Sequence, residues 1–173
     1  MKNILEWVKE IVIAVIIAAV ILTFIKPIVV RQSSMEPTFY SGDYVFISKQ
    51  AYKLFGEPER GDVIVFHTEM KDENDHDKNL IKRIIGLPGD TVEIIGGYVY
   101  LNGQILDEPY LNEQGISGEM EKITVPEGRL FVMGDNRGVS QDSRDVLIGC
   151  IEEDSILGRV FVRLYPFNRI RTF

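Results

Sequence analysis

The chain has 173 residues, 45% of them hydrophobic and 26% charged, with a formal net charge of -7. That length, less one N-terminal apolar stretch, suffices for one folded domain with its own core and leaves no room for a second of full size. The acidic balance excludes nonspecific attraction to nucleic acid, and the lone Cys150, with no Cys/His cluster at zinc-ligand spacing, excludes an intramolecular disulfide and a zinc site.

Residues 11–25 read IVIAVIIAAVILTFI, an uncharged run that rises roughly 22 Å as a helix. Trp7 and Val8 before it and residues 27–30 after it extend the apolar stretch, while Lys9, Glu10 and Lys26 can snorkel to the two interfaces. The sequence therefore predicts one transmembrane helix over residues 7–28, preceded by a short segment, residues 1–6. A cleavable signal peptide would carry a small-residue site just beyond the apolar core, and that place holds Thr23, Phe24, Ile25, Lys26 and Pro27. No polar stripe interrupts residues 11–22, which argues against a buried core helix. Positive charge sets no orientation, since Lys2 and Lys9 precede the run and Lys26 and Arg31 follow it.

Beyond the anchor the pattern changes to short β-branched and aromatic runs between turn residues, which predicts a mostly β domain. Strands are expected at Tyr44–Ser48, 62–67, 80–85, Thr91–Ile95, Tyr98–Leu101, Arg129–Met133 and 159–164. Leu87-Pro88-Gly89-Asp90 has proline and glycine where a type II turn wants them, and Asn102-Gly103 predicts a two-residue hairpin into residues 104–106. Residues 69–78, EMKDENDHDK, read as a solvated loop joining two strands, and they lack the central glycine and terminal glutamate of a calcium loop. Residues 107–122 mix Gly, Asn, Glu and Pro with few apolar positions, which predicts a small loop-rich cap.

A Ser-His-Asp triad needs a histidine, and only His67 and His76 are present. His76 lies inside the charged run and His67 ends an expected strand, so both read as surface residues. Neither a G-x-S-x-G elbow nor an H-E-x-x-H helix is present. A serine is alternatively activated by a neutral lysine, provided burial strips the amine of its proton near working pH. In a strand over residues 80–85, Leu80, Lys82 and Ile84 share one face, which places the amine between two aliphatic side chains. Taken alone, that segment reads more simply as an edge-strand lysine whose head reaches water. Ser33 and Ser34 follow the anchor directly and put a candidate nucleophile close to the membrane surface, though serines there equally describe a linker.

Four boxes stand in order along the chain: residues 34–38 (SMEPT), 60–66 (RGDVIVF), 82–90 (KRIIGLPGD) and 134–144 (GDNRGVSQDSR). With a single N-terminal anchor before them, and spanning nearly the whole soluble part, they resemble the bacterial type I signal peptidases, serine peptidases of the Ser/Lys-dyad type. The resemblance implies antiparallel sheets of the fold shared with repressor-type Ser-Lys peptidases. It makes Ser34 the nucleophile, Lys82 the general base, Ser140 a hydroxyl partner of the lysine amine, and Asp142 with Arg144 an ion pair bracing the site. Ser140 and Asp142, two apart, would face the same way along an extended segment. For shallow apolar pockets the resemblance nominates Val30, Met35, Phe39, Leu80 and Ile81. Many members carry serine or glycine two positions before the nucleophile; here that residue is Gln32, which joins the backbone N–H of Ser34 as a candidate oxyanion donor.

The implied reaction is removal of N-terminal signal peptides from exported preproteins after small-x-small sites, with no metal or cofactor. Its partners are those preproteins and the lipid bilayer. The implied topology has residues 1–6 cytoplasmic, the anchor at 7–28 and a catalytic domain at 29–173 outside the cell membrane. Two alternatives compete: a noncatalytic relative, and a peptidase of the same Ser/Lys fold that has one dedicated substrate or cleaves itself as related repressors do. A noncatalytic relative acting as an assembly factor for surface structures is disfavoured by the presence of both Ser34 and Lys82. A self-cleaving repressor is disfavoured by the anchor and the lack of a DNA-binding segment. Oligomeric state is left open by the sequence.

Overall fold

The computed structural model describes residues 3–54, 56–71, 77–112 and 118–173. Helix α1, Ile4–Phe24, has 21 residues and so rises about 31 Å, close to the roughly 30 Å of a hydrocarbon core. None of its residues is buried. Its first turn is capped by Glu6, whose carboxylate accepts the Asn3 N–H at 3.2 Å.

The helix begins before Trp7 and ends at Phe24, not at residue 28 as the apolar run predicts. Strand β1, Ile25–Val29, follows at once and pairs antiparallel with β2, Tyr44–Ser48, in register Ile25↔Ser48 to Val29↔Tyr44. Pro27 explains the change. Proline lacks the N–H a helix interior needs, whereas an edge strand tolerates it, and β1 is an edge strand flanked by β-branched Ile25, Ile28 and Val29.

The remaining elements are a short helix α2 (Ala51–Leu54) and strands β3 (Val63–Lys71), β4 (Asp77–Gly86), β5 (Thr91–Ile95), β6 (Tyr98–Leu101), β7 (Gln104–Ile105), β8 (Met120–Thr124), β9 (Arg129–Met133), β10 (Ile151–Glu152), β11 (Ile156–Tyr165) and β12 (Arg171–Thr172). They form an eight-stranded sheet ordered β1-β2-β11-β3-β4-β9-β10, with β12 on β11, and a four-stranded sheet ordered β7-β6-β5-β8. The mostly β architecture of antiparallel sheets after one apolar helix is the expected fold class.

Period-two burial supplies a core on each side of the large sheet. Val63, Val65 and Ile81 face a cluster with Val30, Met35, Phe39, Val45, Ile47 and Val160. Ile64, Phe66, Leu80 and Ile84 face another with Leu130, Val132 and Ile151. A third cluster joins the sheets, packing Ile85, Phe131 and Met133 against Val92, Ile94, Val99 and Leu101. The turns obey their chemistry: Gly89 has φ +83° with the Asp90 N–H on the Leu87 carbonyl at 3.0 Å, and Asn102 and Gly103 have φ 54° and 78°, as a type I′ hairpin requires.

Two expected loops are smaller than predicted. Of residues 69–78, the ends belong to strands, because β3 runs to Lys71 and β4 starts at Asp77; Thr68 Oγ1 donates to the Lys78 carbonyl at 2.9 Å across this hairpin. Charge disguised a ladder that needs no buried side chains at its outer end; residues 72–76, His76 among them, lie outside the described residues. Of residues 107–122, the last three belong to β8, where Met120 and Ile123 are half-buried and Glu121 and Lys122 face out. Residues 113–117 lie outside the described residues.

Candidate active site

Ser34 is held from both sides of its own chain. Val30 continues the β1 ladder, donating to the Asp43 carbonyl at 2.9 Å and accepting from the Gly42 N–H at 2.8 Å. The chain then turns, and Met35 and Phe39, both fully buried, lock the turn into the core beneath it. The main chain of Asn136 donates to the Ser34 carbonyl at 3.0 Å, and its side-chain amide donates to the Ser33 carbonyl at 3.2 Å. Ser34 is thereby fixed at only 6% exposure while lining a groove of about 390 Å³.

Lys82 comes from β4, where Leu80 and Ile84, its neighbours on the strand face, are buried as the alternation predicts. Its own exposure is 1%. The amine lies 2.8 Å from Ser34 Oγ and donates to the Ile81 carbonyl at 3.0 Å. Burial pushes its pKa down to about 8, against the attraction of Asp142, with the Lys78 charge acting in the same direction as burial. On the side of β4 that faces β9, strand pairing starts only at Arg83, so residues 80–82 present a strand edge beside the groove.

Ser140 makes no hydrogen bond to the lysine amine in this structure. Its Oγ is buried with no hydrogen-bond partner among the described residues, and the second contact of the amine is the Ile81 carbonyl instead. The Ser140 side chain packs against Gly134, and a turn begins at Ser143, just after Asp142. Asp142 points back to the Gly134 N–H at 2.9 Å and grips Arg144, which donates from Nε at 2.7 Å and from NH2 at 2.9 Å. Burial opposes ionisation of Asp142, but the Arg144 charge and hydrogen bonds and the Gly134 N–H outweigh it and hold the carboxyl below its usual range.

Gln32 lines the groove and is half-buried. Of the five residues nominated for pockets, Leu80 lines the groove; Val30, Met35, Phe39 and Ile81 are sealed behind it in a single core cluster. Val139 and Gln141 also line the groove. His67 is exposed on β3, in register with Asn79.

Several residues inside the boxes had no assigned role. Gly134 is one, since a Cβ there would collide with the Ser34 carbonyl and the Ser140 side chain, so only glycine lets the two loops touch. Arg83, next to Lys82, forks onto Asp135 at 2.9 and 2.7 Å, and Asp135 also accepts the Thr38 hydroxyl. Alternation along β4 was the available signal: with Lys82 on one face, Arg83 must emerge on the other and needs a carboxylate there.

Comparison with known proteins places the chain in a family. Residues 4–165 match the family model described as signal peptidase, peptidase S26. The chain is 42% identical over 181 residues to signal peptidase I S of Bacillus subtilis, covering 98% of this chain and 94% of the relative. It is 38% identical over 180 residues to signal peptidase I of Bacillus licheniformis, covering 98% and 93%. A crystal structure of a signal peptidase I from Enterococcus faecalis is 33% identical, with a TM-score of 0.49 over 60% of this chain and 96% of that one. By the extent of these matches, the chain belongs to the signal peptidase family, peptidase S26.

Proposed function

We propose that Ser34 and Lys82 are the catalytic dyad of a membrane-associated serine endopeptidase that removes signal peptides from preproteins. One observation carries this reading: a lysine amine, buried and depressed in pKa, lies 2.8 Å from the hydroxyl of a buried serine that opens onto a groove. Protonated, Lys82 donates to Ser34; neutral, it accepts the serine O–H and becomes the base. With a pKa of about 8, about a tenth of the molecules hold the neutral amine at pH 7.

Ser34 Oγ attacks the scissile carbonyl as its proton passes to Nζ. The ammonium then protonates the leaving amine, and water resolves the acyl-enzyme by the reverse proton path. The Ser34 N–H is the oxyanion donor, with the Gln32 amide at the groove as the second candidate. A substrate extended along the unpaired edge of residues 80–82 adds a strand there, which aligns its carbonyl with Ser34. Leu80 and Val139 restrict the space beside the dyad, and the packed layer of Val30, Met35, Phe39 and Ile81 prevents that space from deepening, which favours small side chains next to the bond. Helix α1 anchors the enzyme with the catalytic domain on the outer face, where translocated preproteins emerge.

Incubating the purified full chain with a preprotein and sequencing the new N-terminus tests this. Cleavage after a small-x-small triplet, lost in Ser34→Ala and retained in Ser33→Ala, is expected. Turnover by Ser34→Ala, or equal loss from both variants, overturns the assignment.

A further inference from the structure

A carboxylate well outside the groove is connected to both halves of the dyad's support. Glu108 lies in the Asp107-Glu108-Pro109-Tyr110 stretch after β7 and is buried. Its carboxylate accepts from Arg137 NH1 at 2.9 Å, from Arg137 NH2, and from the Tyr110 hydroxyl at 2.6 Å. Arg137 in turn donates from Nε to the Gly134 carbonyl at 3.0 Å, and its own carbonyl accepts from Arg144 NH2 at 2.9 Å. The Tyr110 ring lies under the Arg83 guanidinium, 4.0 Å from its carbon to the ring centroid. Arg83 adjoins Lys82 on β4 and pairs with Asp135, which adjoins Gly134.

One short segment therefore grips two things. Through Tyr110 it touches the strand that carries Lys82, and through Arg137 it holds the 134–144 loop, whose Asn136 holds the Ser34 carbonyl. A buried ion pair is a poor source of stability, because desolvation offsets most of its attraction. The forked contact of guanidinium and carboxylate does fix distance and angle in a way an apolar contact does not. A carboxylate in this place is better suited to geometry than to stability.

We propose that Glu108 is a positioning residue of the peptidase: acting through Arg137 and Tyr110, it sets the approach of the 134–144 loop to β4 and with it the separation of Ser34 from Lys82. This rests on the Ser34/Lys82 reading given above, and it adds to the reaction a residue that touches neither substrate nor dyad.

The test is steady-state kinetics of the full-length chain in detergent on a peptide with a small-x-small site. Glu108→Gln, Tyr110→Phe and Ser34→Ala are compared with the unmodified protein at a temperature where circular dichroism shows all of them folded. Glu108→Gln keeps the size of the side chain and loses its charge. Its kcat is expected to fall about 10- to 100-fold with KM changed less than about twofold, because a displacement on the order of 1 Å costs that much when it separates reacting groups. The midpoint of the rise in rate with pH is expected to move as well, since the lysine's surroundings change. Tyr110→Phe keeps the ring under Arg83 and removes one donor, so a smaller fall in kcat is expected.

Unaltered kcat per serine titrated with a covalent serine-directed probe, together with an unaltered pH midpoint, overturns the proposal even if less protein folds. So does a change confined to KM. Should Glu108→Gln fail to fold, Tyr110→Phe decides, and its full kcat at an unchanged midpoint also overturns it. Turnover surviving in Ser34→Ala is a separate result, which removes the dyad reading itself.

Discussion

At the scale of single residues, the role proposed for Lys82 joins function to a stability cost. Its pKa falls from the ordinary 10.5 to about 8, chiefly through burial, so the folded protein binds this proton less tightly than the unfolded chain. The unfolded state thus carries more protons between about pH 8 and 10.5, and stability rises with pH through that window; below it the full penalty applies. Lys82→Met should therefore be inactive yet more stable at pH 7, by about 3 kcal/mol on the scale of 1.36 kcal/mol per pKa unit. Urea unfolding at about pH 7 and about pH 10.5 checks this, and the advantage should vanish at the higher pH. Lys82→Arg should also be inactive, because guanidinium does not deprotonate; its turnover from neutral to alkaline pH is the direct measurement. Gly134→Ala presents the opposite case. The collision is with the Ser140 side chain and also with the backbone carbonyl of Ser34, which cannot rotate out of the way, so the change should cost about 1–3 kcal/mol and abolish turnover together. The alternation of residues 80–84 put Lys82 between two apolar side chains but did not by itself bury its amine; the order of the four boxes favoured that reading and paired Asp142 with Arg144. The contact of the Lys82 amine with the Ile81 carbonyl was not legible, because any residue supplies a carbonyl and only the three-dimensional path of the strand decides which one is near.

At the scale of elements, strands that alternate apolar and polar residues on a buried sheet were legible to within a few residues, β2, β5, β6 and β9 among them. Those at edges were not. In β1 the apolar residues read as a continuation of the apolar helix before them, and in β8 charge at Glu121 and Lys122 hides two half-buried side chains. The boundary at Phe24 has a testable meaning. Helix α1 buries none of its residues, whereas β1 carries a full antiparallel register on β2 and leads to the buried Val30. Removing residues 1–24 should leave the thermal midpoint of the catalytic domain within about 2 °C of the full chain, a shift below 1 kcal/mol for a domain of this size. Removing residues 1–30 takes away the edge strand and a core side chain, and should lower the midpoint by several degrees, since deleting a buried aliphatic group costs about 2–5 kcal/mol. Equal midpoints for the two truncations would show that β1 belongs energetically to the anchor.

At the scale of the whole molecule, the anchor and the groove are joined with almost no slack. Phe24 ends the helix, Ile25 starts β1, and the Phe24 carbonyl accepts the Lys49 N–H at 2.8 Å, so the sheet starts where the helix stops. β1 has five residues and rises about 17 Å at 3.3 Å per residue, which bounds how far the groove can stand from the bilayer. Orientation was not legible, because lysines and arginines flank the helix on both sides. The proposed reaction supplies an expectation: a signal peptide held in the same membrane presents its cleavage site only a short distance outside it, which calls for a catalytic domain on that side at a matching height. Protease added to intact spheroplasts should digest the chain beyond Arg31. If the rigid junction also acts as a ruler, inserting ten Gly/Ser residues between Phe24 and Ile25 adds a flexible span of about 17 Å, by the square-root scaling of such linkers. Cleavage of a membrane-embedded preprotein should then slow severalfold, while cleavage of a short soluble peptide should keep its kcat and KM, because the groove itself is untouched. Comparing the two substrates in the same vesicles isolates height from chemistry: equal slowing on both would mean that the insertion damages the fold, and no slowing on either would mean that the junction between α1 and β1 sets no distance.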